Sequence, residues 1–171
     1  NLEVQPLRES KIVLGVDVAR FGADYSTVYL AEQGIVKGSQ SKQGTQVRLI
    51  DSWAQADADE SVNRIHQLAL SNGVHEVRID GEGMGGPMVD RLTKLADTTY
   101  RVVSMRGNAA SPDRFRWLNA RAWWYAEAEA RMRNGEIDID PQDEKLQNEL
   151  LAHRYHFKNQ FSSLQIESKD E

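Results

Sequence analysis

Hydrophobic residues in this chain keep two different periods, and the places where one gives way to the other mark the elements. Lys11 to Ala19, "KIVLGVDVA", is a short apolar run of the kind buried on both faces, and it predicts a central strand. "RFGADYS" reads as a turn. Thr27 to Gly34 is β-branched and aromatic and predicts a second strand. Thr45 to Trp53, where Val47 and Leu49 alternate with Arg48 and Asp51, predicts a third. Connections this short suit an antiparallel meander. The period then lengthens. Val62, Ile65, Leu68 and Ala69 fall at helical spacing, with Asp59 or Ser61 as the cap and Asn72-Gly73 as the stop.

Val74 to Asp80 returns to a strand and, like the first strand, closes on an aspartate. The glycine-rich "GEGMGGPMVDRLTKLA" then leads into a helix through Met88, Val89, Leu92 and Leu95. "YRVVSM" is a fifth strand, followed by a polar, arginine-bearing loop from Arg106 to Arg116. A long helix is expected from about Trp117 to Asn134, with Trp117, Trp123, Trp124 and Tyr125 as its core face. After it come "EIDID", a helix from Asp143 to Ala152 opened by Pro141, and two late strands, "HRYHFK" and "SSLQIES". Residues 1–10 read as a linker or entry strand ahead of one domain over residues 11–171. A meander followed by βαβ units predicts an α/β fold, a mixed sheet with helices on both faces. In the ribonuclease H-like version of that sheet the first and fourth strands lie side by side. By that analogy Asp17 and Asp80 become neighbours.

Composition narrows the chemistry. At 171 residues the chain is long enough for a real core, and 40% hydrophobic with 27% charged residues is a globular balance. It has no cysteine, so a disulfide framework and a thiolate metal site are excluded, which fits a reducing cytosol. No apolar run is long enough to span a bilayer, and Asn1 does not open a signal peptide. A net charge of −5 argues against a uniformly basic nucleic-acid binder but leaves room for a local basic face.

The two strand-end aspartates carry the candidate chemistry. Carboxylates held side by side repel one another unless a cation sits between them. Mg²⁺ and similar hard ions take carboxylate oxygens and keep positions for water and phosphate. Two such ions, roughly 3.5–4 Å apart, can activate water and stabilise the leaving oxygen of a phosphoryl displacement. Asp17 and Asp80 are therefore candidate metal ligands and catalytic residues, with Asp24 in the next turn as a third. The plainer alternative is that each aspartate caps a turn. Glu82 is read as a solvated loop residue, although its place two residues after Asp80 makes it a further candidate. "DGEGMGG" lacks the Lys-Ser/Thr of a P-loop and misses the GxGxxG spacing, so its glycines are read as allowing close backbone approach. Arg101, Arg106, Arg114, Arg116 and Arg121 gather around one loop and helix start. Arg106, Arg114 and Arg116 are the candidate phosphate contacts, against the alternative of a solvated loop. The four histidines are scattered, and His153 and His156 read as packing or surface residues.

Five stretches, in order and spanning nearly the whole chain, carry a resemblance. They are "VLGVDVARFGADYSTVYL", "VRIDGEGMGGPMVDRL", "RFRWLNARAWWYAEAEARMRNGEIDI", "LQNELLAHRY" and "QIESKDE". Together they resemble the C-terminal nuclease domain of the large terminase subunit of tailed double-stranded DNA bacteriophages. The resemblance implies a ribonuclease H-like fold and a divalent-metal-dependent endonuclease using Mg²⁺ or Mn²⁺. The enzyme would cut concatemeric double-stranded DNA during viral genome packaging, leaving a 5′-phosphate and a 3′-hydroxyl. It puts the first two family aspartates on Asp17 and Asp80, an acidic turn residue on Asp24, and the recurring Asn-x-Arg on Asn119 and Arg121. The family's third metal-binding aspartate is expected beyond Glu171, so the domain reads as truncated at its C-terminus. No Walker A sequence occurs, so the ATPase domain is expected elsewhere in a longer polypeptide. The implied partners are DNA, the small terminase subunit and the portal protein, in the host cytoplasm and transiently on the procapsid. Two other readings remain open: a fragment of an actin-like ATPase or sugar kinase, which also opens on Gly-x-Asp, and a non-catalytic module that docks DNA or a portal.

Overall fold

The computed structural model describes residues 4–6, 10–19, 25–54, 56–82, 85–157 and 163–166. The described strands and helices run β1 (Val4–Pro6), β2 (Ile12–Asp17), β3 (Ser26–Val36), β4 (Gln43–Trp53), α1 (Ala58–Ser71), β5 (Glu76–Asp80), α2 (Gly85–Ala96), β6 (Arg101–Met105), α3 (Ala120–Arg133), β7 (Ile137–Ile139), α4 (Glu144–Ala152), β8 (Tyr155–Phe157) and β9 (Leu164–Ile166). One sheet has the order β6-β5-β2-β3-β4-β7, with β1 on β3, and β8-β9 form a separate hairpin. The expected meander is β2-β3-β4, antiparallel throughout. β5 and β6 add to it in parallel, so the first and fourth expected strands are neighbours as the ribonuclease H-like arrangement requires. Of the two readings of the first ten residues, linker or entry strand, Val4–Pro6 takes the second, with Val4 opposite Val36.

The two faces of the sheet are built differently. Leu14, Val16, Val28, Leu30, Val77 and Ile79 turn to one face and meet Val62, Ile65 and Ala69 of α1 and Met88, Leu92 and Ala96 of α2. That is the dry core, where each fully buried aliphatic side chain contributes about 1.5–3 kcal/mol. Trp53 belongs to it, and its indole N–H donates to the buried Ser61 hydroxyl at 3.1 Å. Ser61 is thus a core partner and not a helix cap. The cap of α1 is Asp57, whose side chain accepts the Glu60 N–H at 2.7 Å. Asp59, the other expected cap, lies inside the helix and pairs with Arg91. A bulge between Val28 and Tyr29 puts Asp51 opposite Val28 and Leu49 opposite Tyr29. Ile50 packs on the core, while Leu49 stays exposed on the other face.

α3 and α4 reach that second face through polar contacts. Arg131 donates to Thr45 at 3.0 Å, and Tyr29 donates to Asp143 at 2.8 Å. α3 begins at Ala120, three residues later than its aromatic spacing predicts. Trp117 and Leu118 are taken instead by Leu164, which bridges Trp117 and exchanges backbone bonds with Arg116 and Leu118. The expected aromatic core face is also corrected. α3 buries Ala120 and Ala122, and Trp123, Trp124 and Tyr125 stay partly exposed. α4 begins at Glu144 behind an Asp143 cap, and Pro141 lies in the preceding turn.

Candidate functional site

β2 and β5 end together. Val16 is in register with Ile79, so the next residues, Asp17 and Asp80, close two parallel strands about 4.8 Å apart. Side chains alternate along a strand. Because Val16 and Ile79 point into the core, Asp17 and Asp80 point to the α3/α4 face, and both are exposed. The two aspartates singled out in the sequence are brought together at one sheet edge. Asp24 lies outside the described residues.

The turn after Asp80 is tight. A Cβ on Gly81 would sit 1.8 Å from Ser104 Oγ and 3.2 Å from Ser104 Cβ, so any side chain there would have to displace Ser104, and glycine lets the chain leave β5 this close to β6. The Gly81 N–H donates to the Met105 carbonyl at 2.8 Å, and Asp80 Oδ1 accepts the Glu82 N–H at 2.9 Å. One oxygen of Asp80 thus caps the turn, which was the plainer alternative for it. Glu82 is not the solvated residue expected. It accepts the Asn108 N–H at 2.8 Å and lies 3.8 Å from Arg121.

Beside Asp17 opens a cleft of about 460 Å³, walled by Tyr25, Thr27, Tyr29, Asp143 and Glu149 among others. Three carboxylates, Asp17, Asp143 and Glu149, line it, with Lys145 as the basic side chain. Burial pushes the Tyr29 hydroxyl above its ordinary range, and the Asp143 hydrogen bond adds to this. Burial also raises Tyr125; Arg121 opposes the shift, while Glu149 and Asp17 add to it. β2, α3 and α4 therefore share one acidic electrostatic neighbourhood. Apart from Asp143 as the cap of α4, the part played by Tyr29, Tyr125, Asp143 and Glu149 was not legible in the chain, since contacts such as Tyr29 with Asp143 and Tyr125 with His153 join distant segments.

The donor set suits a hard divalent ion, because two carboxylates face one side and are open to solvent. Among the described residues no group of three or more His, Asp or Glu side chains is placed to hold a metal ion. An acidic cleft repels phosphate, and a bound cation reverses the sign of that interaction.

Arg106, Arg114 and Arg116 are exposed on the loop that follows β6. Its far end is ordered by Asp113, whose side chain accepts the N–H groups of Phe115 and Arg116 at 3.0 and 3.2 Å. The Arg116 guanidinium stacks 4.9 Å from the Trp117 ring. Two arginines leave the expected cluster. Arg101 starts β6, opposite Glu76, at the other end of the strand from Met105. Arg121 is drawn to Glu82. Asn119 caps α3, accepting the Ala122 N–H at 3.0 Å.

The arrangement matches solved structures. The nuclease domain of the large terminase subunit gp2 of bacterial virus Sf6 superposes with a TM-score of 0.74 at 18% identity, covering 94% of this chain and 78% of that one. The chain has the fold of large-terminase nuclease domains. A mutant of the Sf6 domain with manganese gives a TM-score of 0.71 at 17% identity over 94% of this chain and 79% of that one. The large terminase nuclease from thermophilic phage G20c gives 0.60 at 14% identity, over 98% of this chain and 77% of that one. No family model matches the sequence, and no curated protein matches it. At these identities the terminase likeness is one of fold.

Proposed function

We propose that this chain is the divalent-metal-dependent DNA endonuclease domain of a viral genome-packaging motor. The observation that carries the reading is the placement of Asp17 and Asp80 at the ends of adjacent parallel strands, each one residue past the paired Val16 and Ile79, and both exposed on the face that also bears the acidic cleft. In this reading Asp17 and Asp80 hold Mg²⁺ or Mn²⁺, with Asp24 as a further ligand. Such ions, when bound, make water a competent nucleophile and stabilise the leaving oxygen. The chain's own residues do the rest. Gly81 permits the turn that aims Asp80, and Arg106, Arg114 and Arg116 take the phosphates of duplex DNA. The substrate is concatemeric double-stranded DNA. The domain, residues 11–171, works as part of a longer polypeptide with an ATPase domain, beside the small subunit and portal, in the host cytoplasm. Manganese with the Sf6 mutant and terminase nucleases as the matching folds support this reading.

Nicking of supercoiled plasmid in Mn²⁺ tests it. Asp17→Asn and Asp80→Asn each abolish cleavage while the fold survives, because removing one of two like charges relieves repulsion. The melting temperature of each variant should equal or exceed the parent's. Full cleavage by either variant sinks the assignment.

A further inference from the structure

Glu82 sits two residues past Asp80, and its side chain is only 24% exposed. It faces another loop. Oε1 accepts the Asn108 N–H at 2.8 Å, and Oε2 lies 3.8 Å from Arg121 Nη2. Its own N–H donates to Asp80 Oδ1 at 2.9 Å. Arg121 is held in turn, since its N–H donates to the Gly107 carbonyl at 3.0 Å and the Ala120 N–H donates to Ala109 at 2.8 Å. Gly107 is packed so closely that a Cβ there would lie 2.9 Å from Arg121 Nε. The turn after β5, residues 107–109 and the first turn of α3 therefore form one hydrogen-bonded unit, and Glu82 joins its parts.

We propose that Glu82 is a positioning residue, which holds the turn that aims Asp80 and locks that turn to the arginine-bearing loop, without being a metal ligand itself. Its two oxygens already face a backbone donor and a guanidinium. Turning the carboxylate onto an ion would compete with the Asn108 bond and draw Oε2 away from Arg121. The metal half of the proposal rests on the nuclease reading; the loop lock rests on the geometry alone.

The test compares Glu82→Ala, Glu82→Gln and Asp80→Asn in the 171-residue chain. Free Mn²⁺ is titrated by electron paramagnetic resonance, and exchange of the Asn108 amide is followed by NMR. Glu82→Ala should speed Asn108 exchange and weaken Mn²⁺ binding about 10-fold, the scale set by outer-shell partners of metal ligands. Glu82→Gln keeps a carbonyl acceptor for Asn108 and should recover part of both losses. Asp80→Asn should lose more Mn²⁺ affinity and leave Asn108 protected. If Glu82→Ala loses Mn²⁺ as completely as Asp80→Asn while Asn108 stays protected, Glu82 is a ligand and the proposal is wrong. If it changes neither readout, Glu82 positions nothing. If the parent binds no Mn²⁺ and Asp80→Asn is silent, the nuclease reading and the metal half fall together, and Asn108 exchange alone decides the lock.

Discussion

Replacing Gly81 with alanine puts the tight turn beside Asp80 to a direct test. Gly81 has no positive φ, so alanine costs nothing in backbone conformation and the effect is steric. The new methyl would lie 1.8 Å from Ser104 Oγ and 3.2 Å from Ser104 Cβ, while Met105 O at 3.5 Å is in ordinary contact. The hydroxyl can rotate away, but the Cβ contact then remains and β6 must give by a few tenths of an ångström. Overpacking of this kind costs about 1–3 kcal/mol. In a chain of this size each kcal/mol lowers Tm by about 2–4 °C. Ser104→Ala removes the Oγ contact but keeps the Cβ, so the double variant should recover only the part of the loss that the hydroxyl causes, while Ser104→Ala alone should be nearly neutral. Thermal and urea denaturation of the four proteins form a double-mutant cycle. Plasmid nicking in Mn²⁺ should fall further than stability does, because the displaced turn carries Asp80. A Gly81→Ala protein that melts like its parent refutes the steric argument. So does a Ser104→Ala change that deepens the defect.

Replacing Arg106, Arg114 and Arg116 together with alanine should weaken DNA binding and make the slope of log affinity against log salt shallower by up to about 2.7, if each holds one phosphate. Sequence preference should hold, since phosphate contacts carry no base information, and an unchanged slope would leave the loop merely solvated. Acid stability should depend on Glu76. Burial works to raise its carboxyl, but hydrogen bonds from Arg78 at 2.6 Å and Lys11 at 3.2 Å outweigh burial and hold it below the ordinary glutamate range. A depressed carboxyl stabilises the fold above the ordinary value of about 4.3, and that contribution is lost as pH falls through the folded value. The stability gap between the parent and Glu76→Gln should therefore narrow from about pH 6 to about pH 3 in urea titrations, and a constant gap would contradict the ion-pair account.

Much of this protein could be read from the chain because its signals are local. Apolar runs closing on Asp17 and Asp80 marked two strands, and Asn72-Gly73 marked the end of α1, where Gly73 takes a φ of 60°. The meander followed from short connections between β-rich segments. The resemblance carried by ordered motifs pointed to the fold that the solved terminase nucleases share. What the chain could not disclose depends on partners far along it. Helical spacing included Trp117, yet backbone pairing with Leu164 removes that residue from α3. Periodicity in α3 suggested an aromatic core face, but period says only that one side is apolar and not what that side meets. α3 meets the edge strand β7 and the β9 hairpin and reaches Thr45 through Arg131, and it buries only the small Ala120 and Ala122 at its start while the large rings stay half-exposed. Glu82 looked solvated because its acceptor role exists only once Asn108 and Arg121 are folded against it. The adjacency of Asp17 and Asp80 is of the same kind. Each residue chooses its strand locally, but parallel pairing needs a crossover through α1, and only the assembled sheet decides that two carboxylates share one edge.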